Sequence, residues 1–233
     1  VNWVVGHKIS PALLPRIDFQ DGIPPQYQTM VVIPTLLDDD NEIDSLLQQL
    51  ELHFLRNTDA SLFFALLTDF ADAPEQHMPQ DEALISRTQM GIDALNAKYQ
   101  QDESPFYLFH RERQWNTSQN TWMGWERKRG KLMEFNHLLR GNTETSYTVQ
   151  VGDMSILPDI KYVITLDADT ILPEGSARQL IGILAHPLNQ AEYNPETGKV
   201  VSGYSILQPR IDIKPTSVNK SHFSRIFAGD IGI

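Results

Sequence analysis

The feature that most constrains the fold is an alternation of short apolar, β-branched runs with amphipathic helical stretches. Runs at 30–34, 62–67 and 106–110 predict strands, and the segments after 38–42 and across 80–101 predict helices. A β-α-β-α-β order implies parallel strands joined by right-handed crossovers. The chain is therefore predicted to be an α/β protein, with a mostly parallel sheet and flanking helices.

An acidic cluster at 38–42 follows the first predicted strand, which Pro34 is expected to stop. The cluster resembles a metal site. However, apolar residues recur behind it at helical spacing: Ile43, Leu46, Leu47 and Leu50. Acidic residues at the start of a helix complement its dipole, so the cluster is predicted to cap a helix rather than to bind a metal.

A further apolar run, 162–166, ends in Asp167-Ala168-Asp169 and is predicted to be a buried central strand. Alternate residues of an extended chain point the same way, so both carboxylates can face one spot beyond the strand. Two hard oxygen ligands suit Mg²⁺ or Mn²⁺, and substrate phosphates would complete the metal's shell. The alternative is that Asp169 only caps a helix beginning near Pro173.

Residues 111–131 differ in composition from the rest of the chain. They carry six basic and two acidic residues, a net charge of +4, in a chain whose formal net charge is −11. Such a patch suggests an anionic ligand such as a diphosphate. Trp115, Trp122 and Trp125 are interleaved with it. These indoles would either stack on a base or a sugar or fasten a long loop to the body, and both readings stay open.

The remaining elements are assigned more briefly. A helix over 131–140 is expected to end at Gly141, and an edge strand is expected at 147–151. A later helix, ending before Pro187, precedes a polar loop at 187–198 and a strand at 199–207. The seven scattered histidines are predicted to be packing or surface residues.

Composition excludes several classes of protein. Without cysteine, the chain has no disulfide, zinc-thiolate site or cysteine nucleophile. Its acidic charge argues against a general nucleic-acid binder. No apolar run approaches the ~20 residues of a membrane span, and no signal peptide is present. We predict a Pro-rich arm at 1–28, a ligand-binding domain at 29–210 and a tail at 211–233, and we expect this soluble chain to be a segment of a longer protein.

Several segments resemble glycosyltransferases of the GT-A type. Four occur in the order seen in processive glycosyltransferases of family 2: Val31-Val-Ile-Pro34, Leu66-Leu-Thr-Asp69, Arg129-Gly-Lys-Leu-Met-Glu-Phe-Asn136 and Thr165-Leu-Asp-Ala-Asp169. Longer ones are similar to the glycosyltransferase region of cyclic β-1,2-glucan synthases (glycosyltransferase family 84): Trp122-Met-Gly-Trp-Glu-Arg-Lys-Arg-Gly-Lys-Leu132, Ala185-His-Pro-Leu-Asn189, Gly203-Tyr-Ser-Ile-Leu-Gln-Pro-Arg210 and Phe223-Ser-Arg-Ile-Phe-Ala-Gly229.

This resemblance implies a GT-A-like, Rossmann-like fold in which the chain is a truncated part of the full domain. It implies a synthase that transfers glucose from UDP-glucose to a growing glucan acceptor. The full-length protein would lie at the cytoplasmic side of the bacterial inner membrane, and it would contact the membrane only through parts outside this chain.

The resemblance also implies roles for particular residues. Asp69 would contact the uracil, and Lys131 with the neighbouring Arg129 would face the diphosphate. Asp167 and Asp169 would hold Mg²⁺ or Mn²⁺, with Asp167 also contacting the substrate.

Pro34 would be a further substrate-binding residue by the same resemblance. The chain departs from the family 2 pattern beside it, with Thr35-Leu-Leu-Asp38 where relatives have Asn-Glu. No counterpart of the relatives' acidic base or Gln-x-x-Arg-Trp motif is found before Ile233, so the isolated chain is expected to be inactive in transfer.

Two other functions compete with this one. A nucleotide-sugar-binding module without catalytic activity would share the donor site. A nucleotidyltransferase also combines paired aspartates with basic residues, but it usually has a glycine-rich phosphate loop after its first strand, which residues 33–37 lack.

Overall fold

The structure is a computed structural model that describes residues 13–99 and 104–209. Its strands are β1 (Thr29–Leu37), β2 (Leu62–Phe70), β3 (Phe106–Arg111), β4 (Gln114–Asn116), β5 (Thr121–Met123), β6 (Tyr147–Val151), β7 (Tyr162–Thr165), β8 (Glu192–Asn194) and β9 (Lys199–Ser202). Its helices are α1 (Asp40–Arg56), α2 (Asp81–Lys98), α3 (Arg127–Leu139) and α4 (Ser176–Ala185). Short 3₁₀ turns lie at Pro25–Tyr27, Met154–Asp159 and Pro187–Asn189.

The central sheet has the order β6-β3-β2-β1-β7. All neighbouring pairs are parallel except β3 with β6, which is antiparallel. Helices flank this sheet, so the predicted α/β class with a mostly parallel, Rossmann-like sheet is confirmed. The predicted edge position of the strand at 147–151 is also confirmed.

The two faces of the sheet bury separate apolar clusters. Alternate residues of β1, β2 and β3 project to one face and pack with α3 and β6: Met30, Val32, Phe63, Tyr107, Phe109, Phe135 and Tyr147. The other cluster joins α1 and α2 to the strand ends: Leu37, Ile43, Phe70 and Leu84. Because β2 is buried at every position, its polar carboxyl end lies inside the protein.

The prediction that Pro34 ends the first strand is wrong, because β1 continues to Leu37. The reason is that the later part of β1 has no paired strand on the β7 side. The Val32 carbonyl accepts the Leu166 N–H on the β7 side, and β7 pairs with β1 no further than Val32. Pro34 has the same parity as Val32, so its missing N–H would point past the end of β7, where no ladder hydrogen bond is lost.

The prediction that the strand before Asp167 is buried and central is also wrong. Within the described residues β7 is an edge strand, paired only with β1. Its residues are half-buried or exposed, and it ends at Thr165 rather than at Leu166. A short run of β-branched residues has the same appearance in an edge strand and in a central one, so the sequence alone did not separate the two.

The 38–42 cluster and Asp169 were each considered as helix caps, and the residues at which α1 and α4 begin decide both cases. The Asp39 carboxylate accepts the Glu42 N–H at 2.9 Å and N-caps α1, which confirms the capping interpretation of the 38–42 cluster. By contrast, α4 begins at Ser176, not near Pro173. Asp169 is therefore too far along the chain to be its N-cap, and that alternative is wrong.

Other differences concern loops and element ends. The segment 111–131, treated as a loop, contains the antiparallel β4–β5 hairpin and the first turn of α3. Another small hairpin, β8–β9, occupies part of the predicted polar loop, and β9 ends at Ser202 instead of residue 207. Gly141, at φ +86°, adopts the left-handed conformation expected of a helix terminator.

Two compact units divide the described residues. One is Phe19–Ile181, which contains the central sheet, and the other combines 13–18 with 182–209. The predicted boundaries at residues 28 and 210 stay predictions. The tail at 211–233, its 223–229 segment and residues 1–12 of the arm lie outside the described residues. No helix in the described part of the chain is long and apolar enough to cross a membrane.

Candidate functional site

A buried ion pair lies at the carboxyl end of two neighbouring strands. Asp69 on β2 and Arg111 on β3 are direct partners in the parallel register, and they are 2% and 0% exposed. Arg111 Nε donates to Asp69 Oδ1 at 2.8 Å, and its Nη2 donates to Oδ2 at 2.9 Å. This two-point geometry fixes the plane and direction of the carboxylate.

Lys131 brings a second cation to the same carboxylate. Its Nζ lies 3.1 Å from Asp69 Oδ2 and also donates to the backbone carbonyl of Thr35 on β1. Burial lowers the pKa of Lys131 to about 8, with the charge of Asp69 opposing that shift. The ammonium group therefore lies inside the protein, between the first two strands and α3.

Glu134, one helical turn after Lys131, balances the charge of this cluster. Its Oε2 accepts hydrogen bonds from Arg111 Nη1 at 3.1 Å and from Ser146 Oγ at 2.9 Å, and its Oε1 accepts one from Thr145 Oγ1 at 2.8 Å. Burial alone would raise the pKa of Glu134, but the hydrogen bonds from Ser146, Thr145 and Arg111 hold it below its usual value. Two cations and two carboxylates thus neutralise each other.

The segment entering α3 is tied to the same arginine. Arg111 donates to the backbone carbonyls of Trp125 at 3.1 Å and Arg127 at 3.2 Å. A Cβ on Gly124 would lie 2.5 Å from Asp69 Oδ2, so only glycine allows the chain to pass this close to the carboxylate. The cluster therefore fixes both the strand ends and the start of the helix.

Asp167 and Asp169 lie in the turn after β7. Asp167 forms an ion pair with Lys128, in the first turn of α3, and the two side chains are 62% and 51% exposed. The Thr170 N–H donates to the Asp167 carbonyl at 2.9 Å, which closes the turn. Two exposed carboxylates are donors of the kind Mg²⁺ or Mn²⁺ prefers.

This pair would not enclose a metal ion by itself. Across 13–99 and 104–209, no group of three or more His, Cys, Asp or Glu side chains is placed to hold one. A divalent ion at Asp167 and Asp169 would therefore take its other ligands from water or from a substrate, as the sequence predicts for a substrate-phosphate site.

The structure brings together some of the predicted site residues. Asp69 and Lys131 are in direct contact, and Pro34 directly precedes Thr35, whose carbonyl binds Lys131. Arg129 lies outside this cluster, with its side chain 78% exposed and 3.6 Å from Glu126. The ligand-binding roles assigned to these residues stay predictions.

Sequence reasoning missed Arg111 and Glu134 as parts of the site. One signal was available: Asp69 and Arg111 have opposite charges and follow adjacent predicted strands, so a parallel sheet would place them side by side. Glu134 lies one turn from Lys131 on a predicted helix, which places both on the same helical face.

His110 packs beside the cluster without contributing a charge. It is 1% exposed, its Nδ1 lies 2.9 Å from Thr68 Oγ1, and its ring contacts Phe70 with centroids 4.2 Å apart. Burial lowers the pKa of His110 to about 4, although the nearby Asp69 opposes this. The histidine is a packing residue, as the sequence predicts.

This buried histidine should make the protein sensitive to acid. Since the folded pKa of about 4 lies below the ordinary value of 6.5, only the unfolded chain binds the proton between those values, and acidification favours unfolding. We expect the free energy of unfolding to fall by about 3 kcal/mol from this residue between pH 7 and pH 4. Urea unfolding of wild type and His110→Asn across this range measures the difference.

The variant His137→Asn is the matched control, because His137 is exposed on α3. It should retain the pH dependence of the wild type, whereas His110→Asn should reduce it. Identical pH dependence in all three proteins would show that His110 is not the group responsible.

Comparison with known proteins shows what kind of protein this chain is related to. No protein-family model matches the chain. The chain is 41% identical over 226 residues to the cyclic β-(1,2)-glucan synthase NdvB of Rhizobium meliloti (strain 1021). The chain is homologous to a region of a cyclic glucan synthase. The resemblance carried by its motifs is thus confirmed.

The alignment covers 96% of this chain but only 8% of the relative. The chain therefore corresponds to a small part of that relative.

Proposed function

We propose that this chain is the donor-binding part of a UDP-glucose-dependent glucosyltransferase that builds β-1,2-glucan. The observation that carries the proposal is the 41% identity to a cyclic β-(1,2)-glucan synthase across nearly the whole chain. The fold supports it, because nucleotides bind at the carboxyl ends of the strands in open α/β sheets, where Asp69 and Arg111 lie.

In this proposal Asp69 recognises the uracil ring. Its Oδ1 accepts one hydrogen bond from Arg111, and a carboxylate oxygen has room for a second. The N3–H of uracil is a suitable donor. Arg111 and Lys131 hold the carboxylate in a fixed orientation, so that the base meets a preformed acceptor.

The diphosphate would lie near the first turn of α3. Lys128 and Arg129 project exposed cations there, and the amino end of the helix adds a partial positive charge. Asp167 and Asp169 would hold Mg²⁺ or Mn²⁺ beside it. Such an ion, when bound, neutralises charge on the departing UDP. Pro34, on β1, would line the same carboxyl edge of the sheet.

The acceptor in this proposal is a growing glucan, because the relative is a cyclic β-(1,2)-glucan synthase. The longer protein would act at the cytoplasmic side of the bacterial inner membrane. We assign no general base among the described residues, so the proposal concerns donor binding, and inactivity of the isolated chain stays a prediction.

Donor binding is tested by titration calorimetry with UDP and UDP-glucose, with and without Mg²⁺ or Mn²⁺. We expect the metal to increase UDP affinity and Asp169→Asn to remove that increase, because the amide cannot replace the negative charge at the metal. An affinity gain of about tenfold corresponds to 1.4 kcal/mol and is readily measured.

Asp159→Asn is the matched control, since Asp159 is also exposed but lies before β7 instead of after it. It should behave as wild type. Equal UDP affinity with and without metal in the wild type, or an undiminished metal effect in Asp169→Asn, would contradict the metal site. Absence of any UDP binding would contradict the donor function itself.

A further inference from the structure

The β4–β5 hairpin, between Arg111 and α3, has two unlike faces. Cross-strand pairing places Trp115 opposite Trp122, with ring centroids 5.7 Å apart and ring planes at 60°. Directly paired residues share a face of a hairpin, and successive pairs alternate. The flanking pairs therefore lie on the other face: Gln114 with Met123, and Asn116 with Thr121.

The face opposite the indoles attaches the hairpin to the body of the protein. Met123 is 3% exposed, and Thr121 Oγ1 donates to the Ala73 carbonyl at 3.0 Å. The backbones of Ala73 and Trp122 also exchange two hydrogen bonds, at 2.9 and 3.0 Å. The indole of Trp115 is 44% exposed and makes none of these hydrogen bonds.

The turn of the hairpin is held rigid by its own side chains. Asn116 Oδ1 accepts the N–H groups of Ser118 at 3.0 Å and Gln119 at 3.1 Å. Asn120 adopts a left-handed conformation with φ 52°, which asparagine tolerates in turns. Gln119 Oε1 accepts a hydrogen bond from Arg127 at 3.1 Å. A surface fixed in this way loses little conformational entropy when it binds a ligand.

The chemistry of the hairpin fits an uncharged ligand with many hydroxyl groups. Residues 114–123 include no charged side chain, although charged residues flank them on both sides. The turn between the two strands exposes hydroxyls and an amide whose side chains make no hydrogen bond within the described part of the protein: Thr117, Ser118 and Asn120. A sugar ring combines an apolar C–H face with a rim of hydroxyls, and this surface offers partners for both.

We propose that the indole face formed by Trp115 and Trp122 binds the glucan acceptor chain. This assignment rests on the proposed glucosyltransferase function for the identity of the sugar. Its location supports it, because Ala73 follows β2 just after Asp69, so the hairpin is attached at the carboxyl edge of the sheet. A chain lying on the indoles would thus be held at the edge where the donor is proposed to bind.

The test is titration of the protein with a linear β-1,2-linked glucooligosaccharide, followed by tryptophan fluorescence and calorimetry. We expect saturable binding by the wild type and at least about tenfold weaker binding by Trp115→Ala, the loss typical of truncating an aromatic anchor. Trp115→Phe, which retains a ring, should recover part of the affinity. UDP affinity should be unchanged in both variants.

Tyr193→Ala is the matched control, because Tyr193 is an exposed aromatic residue on the separate β8–β9 hairpin. It should bind the oligosaccharide as wild type does. Two results would overturn the inference. In the first, the wild-type protein binds UDP but does not bind the oligosaccharide. In the second, Trp115→Ala binds the oligosaccharide with the affinity of the wild type, even if the variant is less stable. Failure to bind UDP, in contrast, would count against the donor function.

Discussion

Replacing Arg111 by methionine is expected to destabilise the protein by about 3–5 kcal/mol, the usual result of removing one partner from a buried ion pair. Arg111 is fully buried and donates to Asp69, Glu134 and two backbone carbonyls. Methionine fills much of the same volume but leaves the buried Asp69 and the half-buried Glu134 with Lys131 as the remaining cation in this cluster. Urea unfolding at pH 7 measures the loss.

The control is Arg129→Met, which makes the same chemical change on a side chain that is 78% exposed. Exposed ion pairs contribute about 0–1 kcal/mol, so this variant should unfold close to the wild type. If Arg111→Met also lies within 1 kcal/mol of the wild type, the cluster is not an organising feature of the strand ends.

The fold was largely predictable because its strands and helices repeat two simple periodicities. Apolar runs gave β1, β2 and β3 in the correct order, and helical spacing placed α1 and α2 between them. Strand ends were less predictable. The sequence could not show that β1 continues past Pro34, because that depends on where β7 stops pairing with its neighbour.

The hairpin in the basic segment was missed for a physical reason. Its strands contain only three residues each, and their stability comes from cross-strand contacts and from Ala73, far away in the sequence. The left-handed residues Glu126 and Arg127 that lead into α3 were unpredictable for a similar reason. Arg111 donates hydrogen bonds to the Trp125 and Arg127 carbonyls and so supports this conformation, and no local sequence pattern predicts it.

The candidate site was predicted in part. The sequence indicated both Asp69 and Lys131 through a resemblance of motifs. It did not indicate that the two side chains touch, since that contact depends on how α3 packs on the sheet. Net charge was also a poor guide: the segment 111–131 is basic overall, yet three of its cations, Arg111, Arg113 and Lys131, are buried against carboxylates.

The buried position of Lys131 leads to a second prediction. We expect Lys131→Met to weaken the binding of uridine and the binding of UDP by the same factor, about 10- to 100-fold. The reason is that removal of a charged hydrogen-bond partner costs about 1.5–3 kcal/mol of binding free energy. Lys131 Nζ contacts Asp69 and the Thr35 carbonyl, so its loss should act on the base-binding carboxylate that both ligands share. Calorimetric titration of each variant with both ligands measures the two factors.

Arg129→Met gives the opposite pattern if the proposal is correct. Its exposed guanidinium would act on the diphosphate, so UDP should bind more weakly while uridine is unaffected. A loss in Lys131→Met confined to UDP would show that Lys131 turns from Asp69 to the diphosphate when the ligand binds, as the family resemblance implies. Equal losses would instead establish Lys131 as a positioning residue, because a charge that acts through Asp69 cannot distinguish a ligand with phosphates from one without them.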